Sequence, residues 1–207
     1  MFYLVKTPWL IEQVLFPNYV WSMPGADKTI YLSFDDGPHP EITPFVLETL
    51  RQFGAGASFF CIGKNVVQHP GIYRQILAEG HVVGNHSHHH LNGWKTGEEA
   101  YVQDVAQAAQ QIATTLYRPP YGRITRGQAK QLQNRLGLHI VMWSVVSGDF
   151  DRGLSPAGCL TNGLKAGPGA IVVFHDSEKA FSRMRYALPR VLEHYGEKGF
   201  LFKPIHL

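Results

Sequence analysis

Cysteine is nearly absent: Cys61 and Cys159 are the only two in 207 residues, and neither a disulfide framework nor a Cys-x-x-Cys metal or redox site can be built from them. Cys61 lies in the apolar run Phe59-Phe60-Cys61-Ile62 and is expected to be a buried small hydrophobe. Charge is sparse as well. Only 17 % of residues are charged and the net charge is +3, with Lys and Arg scattered rather than gathered into a patch, which excludes a nucleic-acid footprint. The sequence also lacks the run of about 20 apolar residues that a transmembrane segment needs. Its first residues carry no basic start, and the stretch from Trp9 to Val20 is broken by Glu12, Gln13, Pro17 and Asn18, whereas a signal peptide needs an uninterrupted apolar core. Residues 1–27 are therefore expected to form an amphipathic N-terminal extension packing on the domain. With no evident signal peptide, the expected location is cytoplasmic by default. Repeats, linkers and low-complexity runs are missing too, so residues 28–207 read as a single domain, with 44 % hydrophobic residues available for a core.

What the sequence does have is an alternation of short β-branched or aromatic runs with longer helical patterns, the signature of a parallel α/β fold. Strands are predicted at Thr29–Phe34, Ala57–Ile62, His81–Gly84, His139–Val145, Ala170–Phe174 and Gly199–Lys203. Helices are predicted at Thr43–Phe53, His69–Glu79, Gly97–Leu116, Thr125–Leu136, Ser155–Ala166 and Ala180–His194. Thr43-Pro44 reads as an N-cap followed by proline in the first turn, and Gly80 and Gly196 read as helix stops. The unusual polar residues follow the strands: Asp35 and Asp36 the first, His86 to His90 the third, His175-Asp176 the strand ending at Phe174. Positions just past the C-terminal ends of parallel strands line the crevice where such folds do chemistry.

Histidine is the abundant polar type. There are eleven, five of them between His81 and His90. His86 and His90 are four residues apart, so one helical turn would place both imidazoles on a shared face, the spacing used by zinc hydrolases. Two histidines with one carboxylate leave a coordination position for water. Asp35 and Asp36, followed by Gly37-Pro38, sit in a tight turn that can aim two acids into one pocket, where a bound cation keeps the second acid ionised. Each element alone has a plain alternative: solvated acids capping a turn, or a surface histidine cluster. His88 and His89 cannot share the helical face and are expected to be exposed or to support the ligands from behind. Arg118-Pro119-Pro120-Tyr121 forms a rigid turn in which Arg118 can pair with a carboxylate. Two further apolar strands end in Asp149-Phe150 and in His175.

The content and order of these elements resemble the polysaccharide deacetylases, the NodB-homology domain of carbohydrate esterase family 4, across roughly residues 28–205. Ser33-Phe34-Asp35-Asp36-Gly37-Pro38 is similar to the family's T/S-F-D-D-G-P, and His86-Ser87-x-x-His90 to its H-S/T-x-x-H. Arg118-Pro119-Pro120-Tyr121 is similar to its R-x-P-Y. Asp149 falls on the second acid of D-x-x-D-W, and His175 ends an apolar strand as in the last motif. The resemblance implies a distorted (β/α) barrel of about seven parallel strands. It implies Asp35 as general base, Asp36, His86 and His90 as ligands of one divalent metal, and His175 as general acid. Arg118 would orient Asp35 and Asp149 would tune His175. The backbone N–H of Tyr121 would help bind the oxyanion, with Pro120 and Phe150 beside it on the substrate side. Zinc suits a His-His-Asp set, though cobalt or nickel would also bind.

The implied reaction is metal-dependent hydrolysis of N-acetyl groups from an acetylated glycan, chitin-like or peptidoglycan-like. One motif departs from the pattern: Val146 stands where its first acid is expected, and Phe150 replaces its tryptophan. That departure leaves room for an O-acetyl esterase, an amino-sugar deformylase, or a catalytically dead sugar-binding protein. The retention of Asp35 and His175 favours the enzyme, because a sugar binder needs neither.

Overall fold

The computed structural model describes residues 3–25 and 27–207. Its centre is β1 (Thr29–Asp35), buried along almost its whole length. The period-2 alternation of strands divides its side chains. Ile30, Leu32 and Phe34 join the large apolar core, while Ser33 and Asp35 share the opposite face. β2 (Ala57–Cys61) and β3 (Val82–Asn85) follow on one side in parallel register, then β4 (Leu116–Tyr117) and β5 (His139–Ile140). On the other side β7 (Ile171–His175) pairs with β1, and β6 (Val145–Val146) pairs with β7. The order β5-β4-β3-β2-β1-β7-β6 gives seven parallel strands in a curled, incomplete barrel, with β8 (Leu201–Phe202) pairing the first residues of β1.

The N-terminal segment lies across the gap between the outer strands. Val20 bridges to Val141, Lys6 to Val145 and Ser22 to Ala170. Backbone bonds secure it, among them Met142 N–H to Val20 C=O at 2.7 Å and Val146 N–H to Val5 C=O at 2.9 Å. Such bonds satisfy edge groups that would otherwise be left open.

Helices cover the outside. In α1 (Ile42–Gln52), Ile42, Val46, Leu47 and Leu50 recur at helical spacing and are all buried. α7 (Glu178–Glu197) presents Met184, Ala187, Leu188, Val191 and Leu192 to the same core. Among the described residues no helix is long and apolar enough to cross a membrane.

Several boundaries differ from the sequence reading, each for a local reason. Thr43 is not the N-cap of α1, which begins one residue earlier. Its hydroxyl is instead directed to the Asp176 carboxylate, at 2.5 Å. The helix expected to reach Leu116 is α4 (Glu98–Ala109); Thr114 turns the chain, donating to Val83 C=O at 2.7 Å, and Leu116 enters the sheet. The strand predicted over His139–Val145 is two short strands, because the carbonyls of Val141 and Met142 leave the sheet pattern to accept hydrogen bonds from Arg118. Gly80 does follow α3 (Pro70–Ala78) with φ 81°. Gly196 lies inside α7, and the left-handed turn falls at Gly199 with φ 74°. A short helix, α2 (Gly63–Gln68), was not anticipated. α5 (Arg126–Leu136) and α6 (Pro156–Gly163) complete the set.

Candidate active site

The ends of β1, β3, β4, β6 and β7 deliver every residue that the family resemblance marks out. Ser33 and Asp35, two apart on one face of β1, both meet Arg118, which follows β4 and is fully buried. Arg118 Nη1 donates to Asp35 Oδ1 at 2.7 Å and to Ser33 Oγ at 2.8 Å. Its Nη2 donates to Met142 C=O at 2.8 Å and its Nε to Val141 C=O at 3.3 Å. The guanidinium also lies 3.9 Å from the Phe60 ring centroid, a cation–π contact. The planar fork thus holds the Asp35 carboxylate in one orientation by contacts that a lysine could not reproduce.

One residue on, the chain turns. Asp36 has φ 84°, a conformation uncommon outside glycine, and it swings the second carboxylate away from Arg118. Beneath the turn lies Asp176, which accepts from the Gly37 N–H at 2.9 Å. A Cβ at position 37 would collide with that carboxylate, so only glycine fits there. Burial pushes the Asp176 pKa up to about 8, against the hydrogen bonds from Thr43 and Gly37. From α2, Asn65 Nδ2 donates to Asp36 C=O at 2.7 Å.

The two histidines reach Asp36 from the segment after β3. His86 Nε2 lies 3.7 Å and His90 Nε2 3.2 Å from Asp36 Oδ1. They are not on a helix: residues 86–90 form an irregular loop with Ser87 at φ 62° and His90 at φ 58°. The four-residue spacing therefore brings the rings together, 5.0 Å between centroids, through a loop rather than a helical face. Asp104 of α4 supports that loop, accepting from the N–H groups of His88 and His89 at 2.9 and 3.0 Å. His89 also pairs with Asp104 through its ring, and His88 is buried. Asp36, His86 and His90 each offer one ligand atom, all within 4.8 Å of one another, and among the described residues no other such group occurs. His86 Nδ1–H donates to Arg118 C=O at 2.7 Å, which fixes the tautomer with a free Nε2 lone pair, the arrangement a metal-ligating histidine needs. Burial lowers the His86 pKa to about 4, so the ring is neutral at pH 7. Burial alone would raise the Asp36 pKa. The His90 hydrogen bond and the charges of His175, Lys179 and His86 outweigh it and hold the carboxyl well below its usual range. Two imidazoles and one carboxylate fit a divalent ion of the zinc type.

His175 ends β7, on the other side of β1. Asp149 grips it twice, accepting from its backbone N–H at 2.7 Å and from Nδ1–H at 2.8 Å. Burial alone would lower the His175 pKa, but Asp149, with Asp36 and Asp35, raises it to about 9. The proton on Nε2 is therefore retained at neutral pH. Phe150 stands edge-on to the His175 ring at 5.2 Å and meets Tyr3 at 5.2 Å. Tyr121 has φ 60°; its ring packs against His90 at 4.6 Å and is 57 % exposed, while Pro120 is buried behind it. Among the described residues five non-glycine residues have positive φ, and four of them, Asp36, Ser87, His90 and Tyr121, are at this site. Such outliers persist where surrounding contacts over-determine the backbone.

The sequence reading assigned no role to Asp104, Asp176, Asn65, Ser177 or Lys179. Ser177 Oγ donates to Asp36 Oδ2 at 3.2 Å and Lys179 Nζ lies 3.0 Å from the same oxygen. Asp104 had a signal, an acid at the spacing of the buried face of α4 with Tyr101, Val105 and Ala108. Lys179 had none.

A family model described as polysaccharide deacetylase matches residues 22–141. A peptidoglycan-N-acetylglucosamine deacetylase of Bacillus cereus is 33 % identical over 202 residues, 93 % of this chain and 94 % of that protein. The peptidoglycan-N-acetylglucosamine deacetylase PgdA of Listeria monocytogenes is 34 % identical over 192 residues, 84 % of this chain; the chain spans only 40 % of that relative's length. A chitooligosaccharide deacetylase of Azorhizobium caulinodans is 32 % identical over 204 residues, 86 % of this chain and 93 % of that protein. The crystal structure of a peptidoglycan N-acetylglucosamine deacetylase in complex with 4-naphthalen-1-yl-N-oxidanyl-benzamide superimposes with a TM-score of 0.85 at 31 % identity, covering 96 % of this chain and 95 % of that one. A family 4 carbohydrate esterase pseudoenzyme from Bacillus anthracis shares the fold at 22 % identity with a TM-score of 0.79, covering 91 % of this chain and 68 % of that one.

Proposed function

The chain belongs to the polysaccharide deacetylase family, and from that premise we propose that it is a metal-dependent hydrolase removing N-acetyl groups from an amino-sugar polymer or oligomer, with release of acetate. One observation carries the reading: a braced base and a braced acid flank the ligand set. Asp35 is held by Arg118, and His175, its register partner on β7, is held by Asp149. A protein that only bound sugar or metal would need neither.

Asp36, His86 and His90 would hold the ion, which when bound supplies a Lewis acid for the acetamide oxygen and lowers the pKa of a water. Asp35, kept in place by Arg118, takes a proton from the attacking water. The Tyr121 N–H donates to the oxygen on which negative charge develops, a contribution of about 2.7–4 kcal/mol for a well-placed donor. His175 Nε2–H protonates the leaving amine as the C–N bond breaks, leaving acetate and a free amino sugar. Asp149 keeps the His175 ring in the tautomer that carries this proton. Phe150 and Tyr121 form aromatic walls on either side.

The altered motif weighs little against activity. Val146 is a buried sheet residue paired with Val173, and Asp149 grips His175 without help from that position. The test is acetate release from N-acetylglucosamine oligomers and from peptidoglycan, comparing wild type with Asp35→Asn. The variant keeps the shape of the site and should lose about 10²–10⁴ in rate with its metal content unchanged. A metal-loaded wild type that releases no acetate from any acetylated glycan would overturn the proposal in favour of a binding protein.

A further inference from the structure

Two of the loops that build the site continue outward together. His90 and Tyr121 touch through their rings. Four residues beyond His90 comes Trp94, and two beyond Tyr121 comes Arg123. The two loops are stitched there: Gly93 N–H donates to Arg123 C=O at 3.2 Å and Trp94 Nε1–H to Ile124 C=O at 3.4 Å. The Asn92 side chain accepts from the Trp94 N–H at 3.1 Å. Gly93 is buried, and a Cβ there would strike the Arg123 carbonyl. The Arg123 guanidinium lies 5.0 Å from the Trp94 ring centroid.

Yet the Trp94 side chain so anchored is 66 % exposed. A single exposed apolar residue needs no explanation in itself. An indole fixed by its own N–H, by a capped backbone and by a guanidinium, on the outward extension of two active-site loops, does. A rigid aromatic with a neighbouring fork of donors offers contact area at little entropic cost. It matches one ligand chemistry well: a pyranose ring, whose C–H face is apolar and whose rim carries hydroxyls. Four residues of chain set an upper limit of about 14 Å between the Cα atoms of His90 and Trp94, within the reach of a few linked sugar rings.

Resting on the deacetylase reading, we propose that Trp94 and Arg123 form a sugar-stacking subsite that binds a pyranose of the same glycan chain, remote from the reacting acetamide. It makes the enzyme prefer long substrates over short ones. Trp94→Ala and Trp94→Tyr should be assayed on a ladder of N-acetylglucosamine oligomers from the dimer upward. The alanine variant should lose about 3- to 10-fold in kcat/KM on the longest oligomer, the range of one aromatic contact, with a loss that shrinks steadily toward the dimer and falls mainly on KM. The tyrosine variant should recover most of it. An equal loss at every length, or no loss at any, would overturn the subsite. Binding decides the matter even if no acetate is released: by isothermal titration calorimetry wild type should bind the longest oligomer about 3- to 10-fold more tightly than Trp94→Ala, with the difference vanishing for the dimer. Equal affinities of the two proteins for the longest oligomer, or the same difference at every length, would also overturn it.

Discussion

Replacing Arg118 by methionine keeps much of the side-chain volume and removes the cation. Three consequences follow from its contacts. Asp35 keeps a buried carboxylate without a counter-charge, Ser33 loses its donor, and the carbonyls of Val141 and Met142 lose theirs. Breaking a buried ion pair from one side costs about 3–5 kcal/mol, because the remaining charge is stranded. Against a typical total stability of about 5–15 kcal/mol, this is a large fraction. The stranded charge is also the part that a second substitution can remove. Asp35→Asn added to Arg118→Met should therefore restore at least about 1 kcal/mol, whereas Asp35→Asn in wild type should destabilise. Urea denaturation of the four proteins, stripped of metal by chelator, gives the cycle. A loss below about 1 kcal/mol for Arg118→Met, or strict additivity of the two changes, would refute the claim that this pair orders the base.

Lys179 contacts the Asp36 oxygen that faces away from His86 and His90, so its ammonium repels a dication at the site. Lys179→Met should tighten zinc binding by about 3- to 10-fold in competition with a chromogenic chelator, and weaker binding would show that Lys179 positions the carboxylate instead. The acid role of His175 requires its proton, and its pKa is raised from 6.5 to about 9. Activity should thus fall as pH rises through a value at or below about 9, since a bound dication offsets the share contributed by Asp36. Asp149→Asn removes the main raising partner while burial remains, so the falling limb should move to lower pH; an unmoved limb would exclude His175 as its source. By the same sign, the Asp149–His175 pair stabilises the fold fully below pH 6.5 and loses that contribution as pH rises through about 9. Alanine at both His88 and His89 should leave activity within about tenfold of wild type, and a loss as deep as that of His90→Ala would mean that the ligand pair is wrongly assigned.

The strand-end positions of Asp35, Asp36, His86 and His175 were legible because parallel strands advertise themselves as apolar runs, and chemistry collects where those runs stop. The pairing of His86 with His90 was legible as well, though for a different reason than the sequence suggested. Spacing alone implied a helical turn, whereas a loop with two left-handed residues, pinned by Asp104, brings the rings together. Loops of that kind leave no periodic trace. The same limit hid α2, six residues too short for a hydrophobic stripe, and with it the bond from Asn65 that supports the Asp36 turn. The split of the strand over 139–145 was illegible because its cause, the Arg118 fork drawing two carbonyls out of the ladder, comes from a residue more than twenty positions earlier. Thr43 shows the converse: its local signal as a helix cap was overridden by a buried carboxylate from β7's far end.

The central claim is that a metal held by Asp36, His86 and His90 serves a hydrolytic reaction. The direct test strips the protein with chelator and follows acetate release from an N-acetylglucosamine oligomer as zinc is added back. Activity should be absent at the start, rise with zinc and level off at one equivalent, with His90→Ala showing no such rise. Full activity in the stripped protein, or an oligomer left intact with one zinc bound, would contradict it.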